Sequence, residues 1–532
     1  MLYFLTNVGG PLWNESRKDA NAAATNIPRR TASGSHEDRK ENSFMPKGLI
    51  TIVSILSLAG AAAGQSGDAA PTFIKTRAPI IAISNVEVID GTGTSVLTGQ
   101  TVLIDHGKIA AVGPIAQVTV PAGATTIDGT SKTLIPGLVG MHEHLFYASP
   151  ASGPPLAIEQ FFTFSPLYLA SGVTTARTAG SMDPYGDLQI KARVDSGQMP
   201  GPNFELTTPY LEGAPGAISQ MHELNGPADA RSLVRYWHSV GFTSAKAYAD
   251  ITPEELQAAI EEAHKLHMKV TGHLCSVGFN EAVEMGIDNL EHGPFAAPDG
   301  ELYSQKKRGV CGSGVPGASR ADVGRDIVSK IDPDGPELKQ TIQLMVRHNV
   351  PLTSTLAVYE SSYMAANDRP ELAARTQELM NPVVSAHIIS VRAVQAQDAQ
   401  DAYYRARLKK EMAFERKFVE AGGVLMAGCD PTGDGHVIAG LGDQRNIELL
   451  SKAGFSTPDI IKIATQNGAT YLGLGDRIGS IAVGKQADLV LLDGDLAKDI
   501  SVIEKPELVF KAGVGYDSHA IYSSLRGQQG LH

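Results

Sequence analysis

Apolar and polar positions alternate along this chain in two textures. From Pro79 to Gly137 the segments "PIIAISNVEVID", "TVLIDHGKIAAVG" and "ATTIDGTSKTLIPG" switch between apolar and polar residues and are separated by glycine-rich turns. A period of two with punctuating glycines marks strands that bury one face, so a small antiparallel β module is predicted here. The texture returns in "GSIAVGKQADLVLLDGD" (Gly479 to Asp495) and "PELVFKAGVGYD" (Pro506 to Asp517). Pieces of one texture at opposite flanks predict a single β-sandwich completed by both, over residues 78–135 and 476–525.

Between the flanks, short apolar runs alternate with amphipathic stretches, which predicts βα units around a parallel sheet. The runs are "LIPGLVGMHEH", "VTTART", "NFELTTPYL", "TSAKAYA", "MKVTGHL", "NLEHG", "PLTSTLA" and "GVLMAGCD". Eight strands fit a (β/α)8 TIM barrel over residues 136–475, with the small β-sandwich beside it. Helix starts agree with this phase: in "ITPEELQAAIEEAHKLH", Thr252 can cap, Pro253 takes the first turn and Glu255 completes a capping box. "STPDIIKIA" repeats the device with Thr457 and Pro458. Insertions from about Phe295 to Val350, and from "ELAARTQELM" through "KKEMAFERKFVEAG", lengthen the loops after the sixth and seventh strands. Long loops over the C-terminal face of a barrel shape a substrate pocket.

The N-terminal region changes the picture of where the protein works. Residues 1–44 are polar and mixed in charge, and disorder is expected of an extension whose translation is itself in question. From Met45, "MPKGLITIVSILSLAGAAAGQ" places a lysine, an apolar run and small residues in the order of a secretory signal over 45–64. The run is short for a bilayer span. This predicts a periplasmic or secreted protein that starts at Met45 and has no membrane anchor once the signal is removed. A net charge of -12 over 532 residues repels phosphate backbones, so nucleic acid is set aside as a partner. A small-molecule partner and a second copy of the chain stay open. Cys275, Cys311 and Cys429 lie far apart with no CxxC, and neither a disulfide framework nor a thiolate zinc site is indicated.

The chemistry collects at the strand ends. His142 and His144 follow the first strand, Lys246 lies in the fourth, His273 and His292 end the fifth and sixth, and Asp430 ends the eighth. Residues 142 and 144 share a side of their strand, since side chains alternate. Imidazoles and a carboxylate converging where barrel enzymes react predict a metal site. An ammonium beside divalent cations is strongly disfavoured, so Lys246 should be neutral. A neutral lysine can add carbon dioxide and become a carbamate able to bridge two metals; the alternative is a pairing of Lys246 with a surface carboxylate. Asp430 is the candidate proton shuttle, and Tyr248, on the side of Lys246, is either a donor to an oxyanion or a packing residue. His222, Arg177, His436 and Arg445 lie in or near loops that could meet a substrate carboxylate. Cys275 also faces inward, as a small packing residue.

The motifs "GLVGMHEHLFY", "SGVTTARTAG", "GFTSAKAYAD", "VTGHL", "NLEHG" and "AGCDPTG", followed by "ATQNGATYLGLGDRIGSIAVGKQADLVLLDGD", resemble the amidohydrolase superfamily. They are nearest its imidazolonepropionase-like and Xaa-Pro dipeptidase-like branch, which includes carboxylated-lysine dipeptidases and ochratoxin-hydrolysing amidohydrolases. The resemblance implies two divalent ions, Zn2+ by preference, with His142, His144 and Asp430 on the more buried one. It places His273 and His292 on the other, with carboxylated Lys246 bridging. "SAKAYAD" departs from the more usual strand, and Cys429 stands before the aspartate where Thr or Ser is common. The implied activity is hydrolysis of an amide or peptide bond in a dipeptide, N-acyl amino acid or ochratoxin-like amide. A lactonase or phosphotriesterase on the same site, and a non-catalytic metal-containing binding protein, are the alternatives.

Overall fold

A computed structural model describes residues 73–148, 156–214, 216, 218–294, 331–361, 370–386, 401–431 and 437–530. The expected extension (1–44), the expected signal (45–64), His436 and the first part of the sixth-strand insertion lie outside the described residues.

Both flanks of the chain contribute to one nine-stranded sheet. The N-terminal flank gives β1 (Ile74–Thr76), β2 (Ile80–Ile89), β3 (Val96–Asp105), β4 (Lys108–Pro114), β5 (Thr125–Asp128) and β6 (Thr133–Pro136). Further along run β7 (Leu138–Glu143), β8 (Phe146–Ala148), β9 (Ala157–Glu159), β10 (Val173–Thr178), β11 (Asn203–Glu205), β12 (Thr207–Leu211) and β13 (Ser244–Ala247). Then come β14 (Lys269–Gly272), β15 (Asn289–Glu291), β16 (Leu352–Ser354), β17 (Leu425–Ala427), β18 (Leu489–Leu492), β19 (Pro506–Lys511) and β20 (Val514–Asp517). The large sheet runs β1-β20-β19-β18-β6-β2-β3-β4, with β5 alongside β2. It is mixed rather than antiparallel, because β5 and β6 pair with β2 in parallel. Apolar residues such as Ile81, Ile83, Val102, Leu134, Leu491 and Phe510 fill its own core.

The parallel strands form two arcs, β11-β10-β7 and β12-β13-β14-β15-β16-β17. The run "NFELTTPYL" supplies a strand to each, broken at Leu206. At the other junction, the Asp430 N–H donates to the His142 C=O at 2.9 Å. Gly428 permits that approach, since a Cβ there would stand 2.4 Å from the His142 nitrogen and 2.6 Å from its Cβ. The run "LIPGLVGMHEH" is likewise divided: β6 belongs to the large sheet and β7 to the arcs, with Gly137 between them.

Helices follow the strands, as a parallel sheet requires. Helix Pro253–Lys265 opens with the predicted capping box, Thr252 accepting from the Glu255 N–H and Glu255 returning to the Thr252 N–H. In "STPDIIKIA" the cap is Ser456, one residue earlier than expected, because its hydroxyl reaches the Asp459 N–H and leaves Thr457 inside the helix. "PLTSTLA" stays extended only to Ser354, after which Leu356–Ser361 is helical. Among the described residues, no helix is long and apolar enough to cross a membrane.

Cys275 is disulfide-bonded, although the spacing of the cysteines indicated no disulfide framework. Linear spacing carries no signal for such a bond, since a long insertion can return to any strand end. Cys429 is free and buried.

Candidate metal centre

Five strand ends place the site. His142 lies 2% exposed and His144 4% exposed at the end of β7, with their rings 5.2 Å apart and nearly perpendicular. From β15, His292 brings its ring to 4.5 Å from that of His142, and His273, after β14, stands 4.6 Å from His292. Asp430, after β17, faces three of them with one carboxylate. Its Oδ1 is 3.6 Å from His142 Nε2 and 3.2 Å from His144 Nε2, and its Oδ2 is 3.9 Å from His292 Nδ1. Ligand atoms of His142, His292 and Asp430 all fall within 4.8 Å of one another.

Two of these residues have unusual backbones. His292 has φ +67° and Asp430 φ +50°. Non-glycine residues seldom occupy that region, and those that do are held there by their surroundings, often where function demands an orientation. The His292 Nδ1 contacts Thr355 Oγ1 at 2.7 Å, and Tyr359 donates to the His292 C=O.

Lys246, on β13, is 1% exposed and its ammonium meets Glu291. Glu291 is completely buried and is the hub beneath the site. Its Oε1 accepts from Arg177 at 2.9 Å and from Thr271 at 2.7 Å, and its Oε2 lies 3.4 Å from His142 Nδ1. Burial pushes the Lys246 amine well below its usual range, with the Arg177 guanidinium adding to the shift and Asp430 opposing it. Burial also drives His142 and His292 well below the ordinary imidazole range, helped by Lys246 for the first and by His273 for the second. Both imidazoles are therefore neutral, the form that ligates metal.

The donor set fits a divalent cation. Two imidazole Nε2 atoms converge on one carboxylate oxygen, the buried His144 Nδ1 lacks a hydrogen-bond partner among the described residues, and nitrogen with carboxylate oxygen suits zinc and its neighbours. His142, His144, His273, His292, Lys246 and Asp430 are the residues available to hold it.

Of the other candidates, Tyr248 borders the site and three lie beneath or away from it. Arg177 is fully buried and spends its donors on Glu291, Asn289 and the Met141 C=O. Arg445 is buried between Glu360 and Glu448. His222 is half exposed and bound to Asp229 at 2.8 Å. Tyr248 packs its ring 5.0 Å from His273 and 4.7 Å from Tyr210. Sequence reasoning missed Glu291, Thr271, Asn289 and Glu143. The available signal was an acidic residue inside an apolar strand, since such a residue needs an internal partner.

The chain can be compared with known proteins on this footing. Residues 133–514 match the amidohydrolase family model. An enamidase of Eubacterium barkeri is 24% identical over 412 residues, covering 76% of this chain and 84% of the relative. An imidazolonepropionase of a Geobacillus species is also 24% identical, over 75% of this chain and 84% of its own length. Among solved structures, a Xaa-Pro dipeptidase with bound methionine is 20% identical with a TM-score of 0.59, over 82% of this chain and 100% of that one. An ochratoxinase of A. niger is 16% identical with a TM-score of 0.57, over 82% and 95%. These likenesses give a TIM-barrel type α/β fold, in keeping with the two parallel arcs. With histidines and an aspartate gathered at the strand ends and the match running through both arcs into the large sheet, the chain belongs to the amidohydrolase family.

Proposed function

We propose that this protein is an exported, binuclear metal-dependent hydrolase of amide or peptide bonds, with a dipeptide, N-acyl amino acid or ochratoxin-like amide as substrate. Family membership implies hydrolysis of C–N bonds. The observation that carries the finer reading is the meeting of six potential ligands, five of them nearly water-free, at the ends of β7, β13, β14, β15 and β17. In this reading the two arcs close into one (β/α)8 barrel and the large sheet folds into a sandwich beside it. Cys275 supports export, because disulfides persist in oxidising compartments.

His142, His144 and Asp430 would hold one Zn2+, and His273 and His292 the other. The Lys246 amine, whose pKa burial lowers, would add carbon dioxide with loss of a proton and become an anionic carbamate available to the ions. When bound, the ions supply Lewis acidity toward the substrate carbonyl and a water made acidic near neutral pH. Asp430 would accept a proton from the water that attacks the carbonyl and pass it to the leaving amine. Tyr248 donates its hydroxyl to the oxygen that gains charge as the carbonyl becomes tetrahedral.

The test is Asp430→Asn, assayed with zinc-reconstituted protein against dipeptides, N-acyl amino acids, lactones and organophosphates. Turnover of the amides should fall by about 100-fold or more, the scale of a lost general base, when the variant is compared at the zinc content of wild type. Undiminished turnover would remove the proposed base, and wild-type activity confined to lactones or organophosphates would overturn the amide assignment.

A further inference from the structure

Glu143 stands between the two histidines of β7, and alternation turns its side chain away from theirs, toward the helices. It is completely buried. Cys429 donates to its carboxylate twice, from the backbone N–H at 3.2 Å and from Sγ at 2.9 Å. Tyr168, from helix Phe161–Ala170, grips the His144 backbone next to Glu143. Its hydroxyl donates to the His144 C=O at 2.9 Å and accepts from the His144 N–H at 3.1 Å. Asp443, in the first turn of helix Leu441–Lys452, brings a carboxylate oxygen within 4.8 Å of ligand atoms of Glu143 and Cys429.

Every contact leads to a candidate ligand. Glu143 is covalently joined to His142 and His144, and Cys429 to Asp430. Asp430 is the residue with φ +50°, and its N–H is anchored on the His142 C=O. A backbone of that kind persists only where neighbouring structure fixes it. The outer side of β7 and β17 therefore carries a clamp whose jaws are the ligand-bearing residues themselves.

We infer that Glu143 is a positioning residue: by binding the Cys429 N–H and thiol, it locks the "HEH" segment to the "CD" segment and sets His142, His144 and Asp430 for one divalent ion. This rests on the metal reading above. Residues that orient metal ligands typically change affinity by about 10- to 100-fold when removed.

The experiment compares wild type, Glu143→Ala and Glu143→Gln by competitive chelator titration of zinc, together with near-ultraviolet circular dichroism and melting of the metal-free protein. Folded Glu143→Ala should bind zinc about 10-fold or more weakly. Glu143→Gln should fall between it and wild type, because an amide oxygen still accepts from the Cys429 N–H but the thiol loses its carboxylate. A residue that only packs would lower melting of the metal-free protein and leave the zinc affinity of the folded protein unchanged. If Glu143→Ala does not fold, Glu143→Gln decides: affinity equal to wild type overturns the inference, and weakened affinity with wild-type circular dichroism supports it. Variants that match a zinc-binding wild type overturn the clamp and leave the metal centre standing. A wild type that binds no zinc overturns both.

Discussion

Arg177 shows how a single buried side chain separates recognition from architecture. Its guanidinium is fully buried and serves Glu291, Asn289 and the Met141 C=O, so it holds protein groups where the sequence allowed a substrate carboxylate. Arg177→Met should destabilise the metal-free protein by about 3–5 kcal/mol, the cost of stranding a buried partner charge, as measured by chemical denaturation. An increased KM with unchanged stability would instead assign the arginine to the substrate. At this scale the sequence was legible where chemistry and position coincide. Histidines and aspartate at the ends of apolar runs declare themselves, because water lies just beyond. Glu143 and Glu291 did not, since a carboxylate within a strand reads the same whether it meets solvent or a buried donor. Arg445 had the same ambiguity, and its partner Glu360 is distant in sequence.

Among the elements, helix Asp401–Glu420 carries an unusual burden. Glu411 and Glu415, one turn apart, are both completely buried. Burial pushes the Glu415 carboxyl up to about 8, with the polar Ser354 side chain opposing the shift. The folded protein keeps that proton until about pH 8, whereas the unfolded chain releases it near 4.5. The unfolded state thus binds fewer protons between these values, and stability must decline as pH rises through the window. Glu415→Gln should remove this decline, so unfolding free energies of variant and wild type should diverge progressively from pH 4.5 to 8; parallel curves would refute the assignment. The capping box gives a simpler expectation: Thr252→Ala should lower stability by about 1 kcal/mol in the same assay. Helix starts such as Thr252 were readable because caps are local. The breaks at Gly137 and Leu206 were not, since the apolar pattern passes through both without interruption while the hydrogen-bonding partners change. The parallel pairing of β5 was hidden likewise, because alternation fixes a strand's faces and leaves its direction open.

For the molecule as a whole, the Asp430 N–H to His142 C=O contact joins the segment after β17 to the end of β7. Gly428→Ala would drive a methyl group into the His142 backbone, where its neighbours are main-chain atoms with no freedom to rotate aside. We expect a loss of about 1–3 kcal/mol from overpacking and weaker zinc binding, readable from melting of the metal-free protein and chelator titration. A variant with unchanged melting and unchanged zinc affinity would show that the junction has slack. The large-scale plan was recoverable from two textures of hydrophobicity, since alternation and apolar runs report different environments. The disulfide of Cys275 was not, because loop closure leaves no periodic trace.

One glycine separates the sheet strand β6 from the ligand-bearing strand β7. The sheet is thus mechanically in series with the histidines of the candidate site: an insertion, fusion or truncation that shifts Thr133–Pro136 would tug directly on His142. Engineering a smaller enzyme by discarding the flanks would sever the anchor of its own reaction centre.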